Sequence, residues 1–407
     1  MQDGCSEEMR PSADKWRIKV INIDIIPSKS YAHRALICAA LSKTPTEVIC
    51  PLDSEDIRAT RACVGALAAG EIVMDCGESG STLRFMLPVL GALGRKGTFV
   101  TKGRLGKRPM GPLADQLTAH GCAVGRNDQE RLTVDGRLTG GIFHLPGNVS
   151  SQFITGLLLA LPNLAEDSRI VIDGHLESAA YVDITLDVLK DFGIRIGVEE
   201  NAFFIEGGQK FRGPAEYTVE GDWSAAANWL VAGAIGSEPV RVRGLNTDSR
   251  QGDMRIVEVL GSLGCEIGVS GEDVTSYPSE LTGTQIDVSG IPDLTPAIAL
   301  AAAMAHGQTR IINAGRLRLK ESDRLTAISE TLNSLGARVI EEPEGLIIEG
   351  SGGVQLDGGT ADSFGDHRIV MMAAVASLVS RNKVEINGRE AVNKSYPGFF
   401  KELEKWR

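Results

Sequence analysis

Ile328 Ser329 Glu330 Thr331 Leu332 Asn333 Ser334 Leu335 Gly336 Ala337 Arg338 Val339 sets apolar residues at helical spacing, stops at a glycine and moves into a short β-branched run. Residues 328, 332 and 335 share one helix face. A glycine directly behind such a stripe marks the point where the helix ends and the chain turns away. The pattern recurs over residues 113–124, 185–196 and 256–267. Aligning Leu117, Leu189, Leu260 and Leu332 gives steps of 72, 71 and 72 residues, with Gly121, Gly193, Gly264 and Gly336 in register behind them. A fixed period of this kind signals an internal structural repeat. It exceeds the period of solenoid units, so each repeat reads as a globular subdomain made of a helix, some strands and another helix.

Each repeat carries a second helix with a polar start. The starts are Gly147 Asn148 Val149 Ser150 Ser151 Gln152, then Gly221 Asp222 Trp223 Ser224, then Ile291 Pro292 Asp293, then Gly365 Asp366 His367 Arg368. Cys76 Gly77 Glu78 Ser79 Gly80 Ser81 Thr82, before Leu83 Arg84 Phe85, has the form of a fifth member. The helices behind them, such as residues 297–305 and 369–379, are apolar nearly all round and therefore buried. Buried helices with such starts aim their positive ends at a shared polar cleft, which is where function is expected.

At 407 residues the chain is too long for one ordinary core, and two domains of about 200 residues each are the default. Hydrophobic residues at 43% and charged residues at 23% describe a soluble globular protein. No apolar run is long enough to span a bilayer, and residues 1–16 lack a basic-then-apolar leader, so the expected address is the cytoplasm. Seven scattered cysteines without a CxxC pair point to reduced thiols packed as small hydrophobes, and away from zinc. A net charge of −11 disfavours nucleic acid or an anionic membrane as the main partner. An acidic protein still binds anions where its basic residues converge.

Several do converge in sequence. Pro27 Ser28 Lys29 Ser30 Tyr31 Ala32 His33 Arg34 leads into an apolar helix, with Ser30 the expected N-cap and Arg34 one turn further on. Two cations, a hydroxyl and free helix N–H groups make an anion site. Lys320 Glu321 Ser322 Asp323 Arg324 puts two cations and two acids at another helix start, either as a solvated face or as a proton-transfer pair beside a clamp. Arg368 in Asp366 His367 Arg368 stands at a buried helix start, where an unpaired guanidinium is costly. Ser150 Ser151 Gln152 reads equally as capping or as binding, and Asp293 as an N-cap or as a base. Trp223, Trp229 and Phe85 are assigned to packing.

Pro27 to Arg34, Gly80 with Arg84, Arg108 Pro109, Ser150 Ser151 Gln152, Ser178 with Tyr181, Ile291 Pro292 Asp293, Lys320 to Arg324, Asp366 His367 Arg368, and Lys394 with Pro397 together resemble the 5-enolpyruvylshikimate-3-phosphate synthases, or 3-phosphoshikimate 1-carboxyvinyltransferases. The likeness runs in order from about residue 25 to the carboxyl end. It implies an α/β protein of two domains, each an inside-out barrel of three repeated units, with residues 27–219 forming one domain and 1–26 with 220–407 the other. It implies carboxyvinyl transfer from phosphoenolpyruvate to the 5-hydroxyl of shikimate 3-phosphate, with no cofactor or metal, in a monomer, and inhibition by glyphosate. Lys29, Ser30, Arg34, Ser150, Ser151, Gln152, Ser178, Tyr181, Asp293 and Lys320 would hold shikimate 3-phosphate. Lys29, Gly80, Arg108, Gln152, Arg324, His367, Arg368 and Lys394 would hold phosphoenolpyruvate. Asp293 and Glu321 would be the acid and base, with Lys29 assisting.

Some positions depart from the family pattern. Glu78 stands where many members have Asn, Arg316 where some have Asn, and Ala179 Ala180 where a basic residue and Pro are commoner. A carboxylate at 78 would lie near a bound anion, so its side chain is expected to turn outward. The segment before Ile25 matches poorly, which leaves the first strand undefined. The sister enzyme acting on UDP-N-acetylglucosamine usually carries a reactive cysteine before its Arg Pro pair, but here the loop reads Gly103 Arg104 Leu105 Gly106 Lys107 Arg108 Pro109. A non-catalytic anion-binding relative should have lost an acid or a clamp, yet Lys29, Asp293, Glu321 and Lys394 are all present. Across an empty cleft the cations of the two domains should repel, and a bound dianion should draw the domains together.

Overall fold

The computed structural model describes residues 19–406. Cys5, the segment read for a leader, and the first eighteen residues of the proposed carboxyl domain lie outside them. In chain order the main helices are α1 (Lys29–Leu41), α2 (Glu55–Ala69), α3 (Gly80–Ala92), α4 (Gly111–Ala119), α5 (Ser151–Ala160), α6 (Ala179–Asp191), α7 (Trp223–Ile235), α8 (Ile256–Ser262), α9 (Thr295–Met304), α10 (Arg324–Ser334) and α11 (His367–Ala376). Odd and even helices differ in kind. From α3 onward the odd ones are buried along nearly every residue, as their all-round apolar sequences require. The even ones bury one stripe each.

Four units share one plan: strand, inner helix, parallel strand, outer helix, then a hairpin that completes a four-stranded sheet. In the first, Val73–Gly77 pairs in parallel with Gly97–Thr101, which pairs antiparallel with Leu132–Gly136, itself bonded to Cys122–Arg126. Two shorter units have only a parallel strand pair, Glu47–Ile49 with Glu216–Thr218 and Gly359–Asp362 with Val384–Asn387. The fold is thus a two-domain α/β architecture of six repeated units, three in each half. The outer helices α4, α6, α8 and α10 are the 72-residue repeat of the sequence. Gly121, Gly193, Gly264 and Gly336 follow them with φ of 97°, 75°, 94° and 96°, a conformation that glycine enters without strain.

Buried side chains form two cores. One gathers residues from Tyr31 to Val219 around α3 and α5; the other gathers Ile21 and Ile23 with residues from Trp223 to Phe399 around α7, α9 and α11. The segment before Ile25 resolves as a strand, Ile21–Asp24, parallel to Val240–Arg243, with Ile21 and Ile23 buried. The chain passes between the cores twice, and the two passages lie side by side. Pro27 and Gly221 form a bridge, Ser28 N donates to Glu220 O at 2.7 Å, and Asp222 N donates to Ile26 O at 2.9 Å.

Two helix starts differ from the sequence reading. Ser28, not Ser30, caps α1, accepting from Tyr31 N, so Lys29 and Ser30 are the first helical residues. Asp293 does not cap α9. Pro292 opens a short 3₁₀ turn, Pro292–Leu294, which delays the α-helix to Thr295 and leaves the Asp293 carboxylate free to face the cleft. Trp223, Trp229 and Phe85 are packing residues as expected, and the six described cysteines are buried free thiols. Among the described residues no helix is long and apolar enough to cross a membrane.

Candidate active site

The starts of α1, α3, α5, α7 and α11 meet at one cavity between the cores, lined by Lys29, Ser30, Gly80, Ser81, Ser150, Ser151, Gln152, Asp222, Ser224, His367 and Arg368. Converging helix N-termini supply N–H groups and partial positive charge. Arg34, Arg84, Arg108, Ser178, Tyr181, Asp293, Arg316, Lys320, Glu321 and Arg324 complete much of the wall. Every binding or catalytic residue expected from the sequence is therefore brought together there except Lys394.

On the amino side two guanidiniums, Arg34 and Arg84, are bonded to neutral oxygens. Arg34 is buried and donates to Ser30 O and Tyr181 O at 2.8 Å and to Thr185 Oγ1 at 2.8 Å, over the ring of Phe85. Arg84 donates to Gln152 Oε1 at 2.7 Å and Pro109 O at 3.3 Å. Burial pushes Arg34 down to about 10, and burial with neighbouring Arg108 pushes Arg84 down to about 9. Buried cations without carboxylate partners are poised for an anion. A methyl group on Gly80 would lie 2.7 Å from Nη1 of both Arg84 and Arg108, so the bare backbone is what lets both reach the wall. Burial works against the Lys29 ammonium, but Asp56 at 2.8 Å outweighs it and keeps it protonated.

On the carboxyl side the charges are interlocked. Asp293 accepts from Arg324 Nη1 at 2.6 Å, Arg368 Nη2 at 2.8 Å and the Tyr181 hydroxyl at 3.0 Å, with Lys320 Nζ 3.6 Å away. Arg324, 1% exposed, also donates to Glu321 at 2.7 Å and Asp366 at 2.8 Å, so each of its three nitrogens is bonded to a carboxylate. Burial would raise both acids. Arg368, Lys320 and Arg324 override it at Asp293, and Arg108 and Arg324 override it at Glu321, holding each well below the usual range. Their neighbours thus favour the carboxylate form of both, a point the sequence left open. Burial pushes Lys320 down to about 8, and burial beside Lys29 pushes His367 down to about 3, leaving its imidazole neutral.

Opposite charges face each other across the cleft. Arg108 pairs with Glu321 at 3.3 Å, Arg316 with Glu177 at 3.0 Å while also donating to Ser178, and Lys394 with Glu78 at 2.6 Å. These pairs offset part of the expected repulsion, which persists where Lys29 faces Arg368. Glu78 also departs from expectation: its carboxylate does not turn out into solvent but engages Lys394. Arg84, Asp56 and Asp222 were missed as site residues. Arg84 left a signal, a charge inside the apolar run of α3. Ser178 sits at φ 54° ahead of α6, a left-handed conformation unfavourable for serine that the Arg316 contact helps hold.

Eight lysines and arginines line the cavity against four carboxylates, in a chain whose net charge is −11. The family model described as EPSP synthase (3-phosphoshikimate 1-carboxyvinyltransferase) matches residues 20–71 and 60–403. A 3-phosphoshikimate 1-carboxyvinyltransferase of Clostridium kluyveri is 42% identical over 404 residues, spanning 94% of this chain and 93% of the relative. That of Clostridioides difficile is 39% identical, spanning 94% of each. The EPSP synthase structure from Acinetobacter baumannii superposes with a TM-score of 0.78 at 25% identity, covering 94% of this chain and 95% of that one. An enolpyruvyl transferase from Streptomyces tendae shares the fold at TM-score 0.78 and 18% identity, covering 96% and 95%. With a match along nearly its whole length, the chain belongs to the EPSP synthase family.

Proposed function

We propose that this protein transfers the carboxyvinyl group of phosphoenolpyruvate to the 5-hydroxyl of shikimate 3-phosphate and releases phosphate. The observation that carries the reading is the excess of cations in a cleft that also holds two carboxylates, Asp293 and Glu321, at its centre. Both substrates are polyanions, and each anionic group needs its own cations and N–H donors.

In this reading Arg34, Lys29, Ser30, Ser150, Ser151, Gln152, Ser178, Tyr181 and Lys320 hold shikimate 3-phosphate. Lys29, Gly80, Arg108, Gln152, His367, Arg368 and Lys394 hold phosphoenolpyruvate, and Arg84 joins that set. Arg324 spends one N–H of each nitrogen on Asp293, Glu321 and Asp366, which aims the two acids, and its two remaining N–H groups serve phosphoenolpyruvate. The 5-hydroxyl oxygen attacks C2 while its proton passes to a carboxylate, for which ionised Asp293 is suited. C3 gains a proton, giving a tetrahedral intermediate. Loss of the C3 proton re-forms the double bond as the C2–O bond to phosphate breaks. An arriving dianion offsets the surrounding cations and raises the proton affinity of Glu321, which then takes a proton from water, delivers it to C3 in the addition and takes one back from C3 in the elimination. Neutral His367 serves through one N–H.

We take residues 27–219 and residues 1–26 with 220–407 as the two domains, the protein as a cytoplasmic monomer without cofactor, and glyphosate as a competitor for the phosphoenolpyruvate cations. Phosphate release from phosphoenolpyruvate, measured with and without shikimate 3-phosphate, tests the assignment. Release dependent on shikimate 3-phosphate supports it. Tight binding of both ligands without release would mark a non-catalytic relative.

A further inference from the structure

Lys394 is the expected anion-binding cation that does not line the cavity, and its ammonium is bonded to Glu78. The Lys394 side chain is 11% exposed, and its ammonium has three donors. One goes to Glu78 Oε2 at 2.6 Å and one to Gly365 O at 2.7 Å, so the charge of the ammonium is already engaged by a carboxylate. Glu78 is itself boxed in. It sits on the turn between the strand Val73–Gly77 and α3, beside the loop that carries Arg108, where Lys102 N donates to Gly77 O at 2.7 Å. A methyl group on Gly103 would lie 2.6 Å from the Glu78 Cδ, so the left-handed glycine at φ 55° gives the carboxylate its berth. The Glu78 side chain as a whole is 38% exposed.

We propose that Glu78 is an affinity-determining residue of the phosphoenolpyruvate subsite, acting as a built-in competitor for the Lys394 ammonium. This rests on the assignment of Lys394 to that subsite. An anion reaching Lys394 exchanges with a carboxylate already there, so the net gain is the difference between two charge-assisted contacts rather than one whole contact. The exchange leaves the reacting atoms, Asp293 and Glu321 untouched. Affinity is therefore traded down and turnover is not.

Steady-state kinetics on Glu78→Gln, Lys394→Met and the double variant test this. Glutamine keeps the size and an amide oxygen but removes the charge. Glu78→Gln is expected to lower KM for phosphoenolpyruvate by about tenfold, with kcat and the KM for shikimate 3-phosphate within about twofold. Inorganic phosphate titrated calorimetrically should bind tighter by a similar factor. In the Lys394→Met background the same change should shift KM by less than about twofold, because the competition has lost its object. An unchanged or raised KM in Glu78→Gln overturns the proposal, as does an equal drop in both backgrounds, which would mean general charge repulsion. An unaltered KM in Lys394→Met alone overturns the underlying assignment of that lysine and the competition with it.

Discussion

Asp293 is held by three cations and a phenol, and that count sets what its replacement should do. Asp293→Asn and Glu321→Gln are expected to lower kcat by about 100-fold or more, the usual contribution of a positioned acid or base. Circular dichroism should stay unchanged and turnover assays should read the loss; near-normal turnover would remove that residue from the chemistry. Lys320 gives a pH signature. Burial lowers its ammonium to about 8, and the protonated form is the one that attracts an anion. The kcat/KM for shikimate 3-phosphate should therefore be flat below about pH 7 and fall with unit slope above about pH 8. Lys320→Arg, which stays charged, should abolish the break, and a break that persists would assign it to another group. Residue types at helix starts made most of these side chains legible in the sequence. Their pairing was not legible, because Glu78 with Lys394 and Arg108 with Glu321 are separated by 316 and 213 positions and meet only when the halves pack. Charge sign told that anions bind; it did not tell which acids already occupy which cations.

Among the elements, the outer helices were the most legible, since a glycine behind an apolar stripe fixes both an end and a turn. Gly336 shows the constraint most sharply. It follows α10 at φ 96°, and a methyl group there would lie 2.7 Å from Asp357 Oδ2. Gly336→Ala should cost about 1–2 kcal/mol, through the backbone penalty and the displaced carboxylate, and thermal melting should show a Tm lower by a few degrees. An unchanged Tm would mean that the turn relaxes freely. Helix starts were less legible. Ser28 and Ser30 are equally good caps on paper, and the choice falls to Ser28 because Ser28 Oγ also bonds Gln251 Oε1 at 3.1 Å in the other core. Pro292 likewise converts an apparent cap at Asp293 into a 3₁₀ turn, a change of hydrogen-bond pattern that apolar spacing does not register. The strand Ile21–Asp24 escaped because four residues carry too little alternation to stand out before a partner is known.

At the scale of the molecule, the empty cleft is bridged by ion pairs. Arg316 ties Ser289 of one half to Glu177 and Ser178 of the other. Arg316→Ala should therefore raise the radius of gyration of the ligand-free protein in small-angle scattering, with the wild-type value restored on adding shikimate 3-phosphate. An unaltered radius would mean that the remaining bridges suffice. The spacing of 71 to 72 residues showed four repeats, and six units were implied only by the family resemblance; the two short units escape the spacing because the strand Glu216–Thr218 pairs with Glu47–Ile49 across most of a domain's sequence. The paired passages at Pro27 and Gly221 carry one more meaning. A body whose entry and exit touch can be excised and its own ends rejoined by a tight turn, while the remainder seals from Ile26 to Asp222 without stretching. The amino half thus leaves and returns through the first loop of the carboxyl half at a single point, so the two are joined covalently by one two-stranded neck.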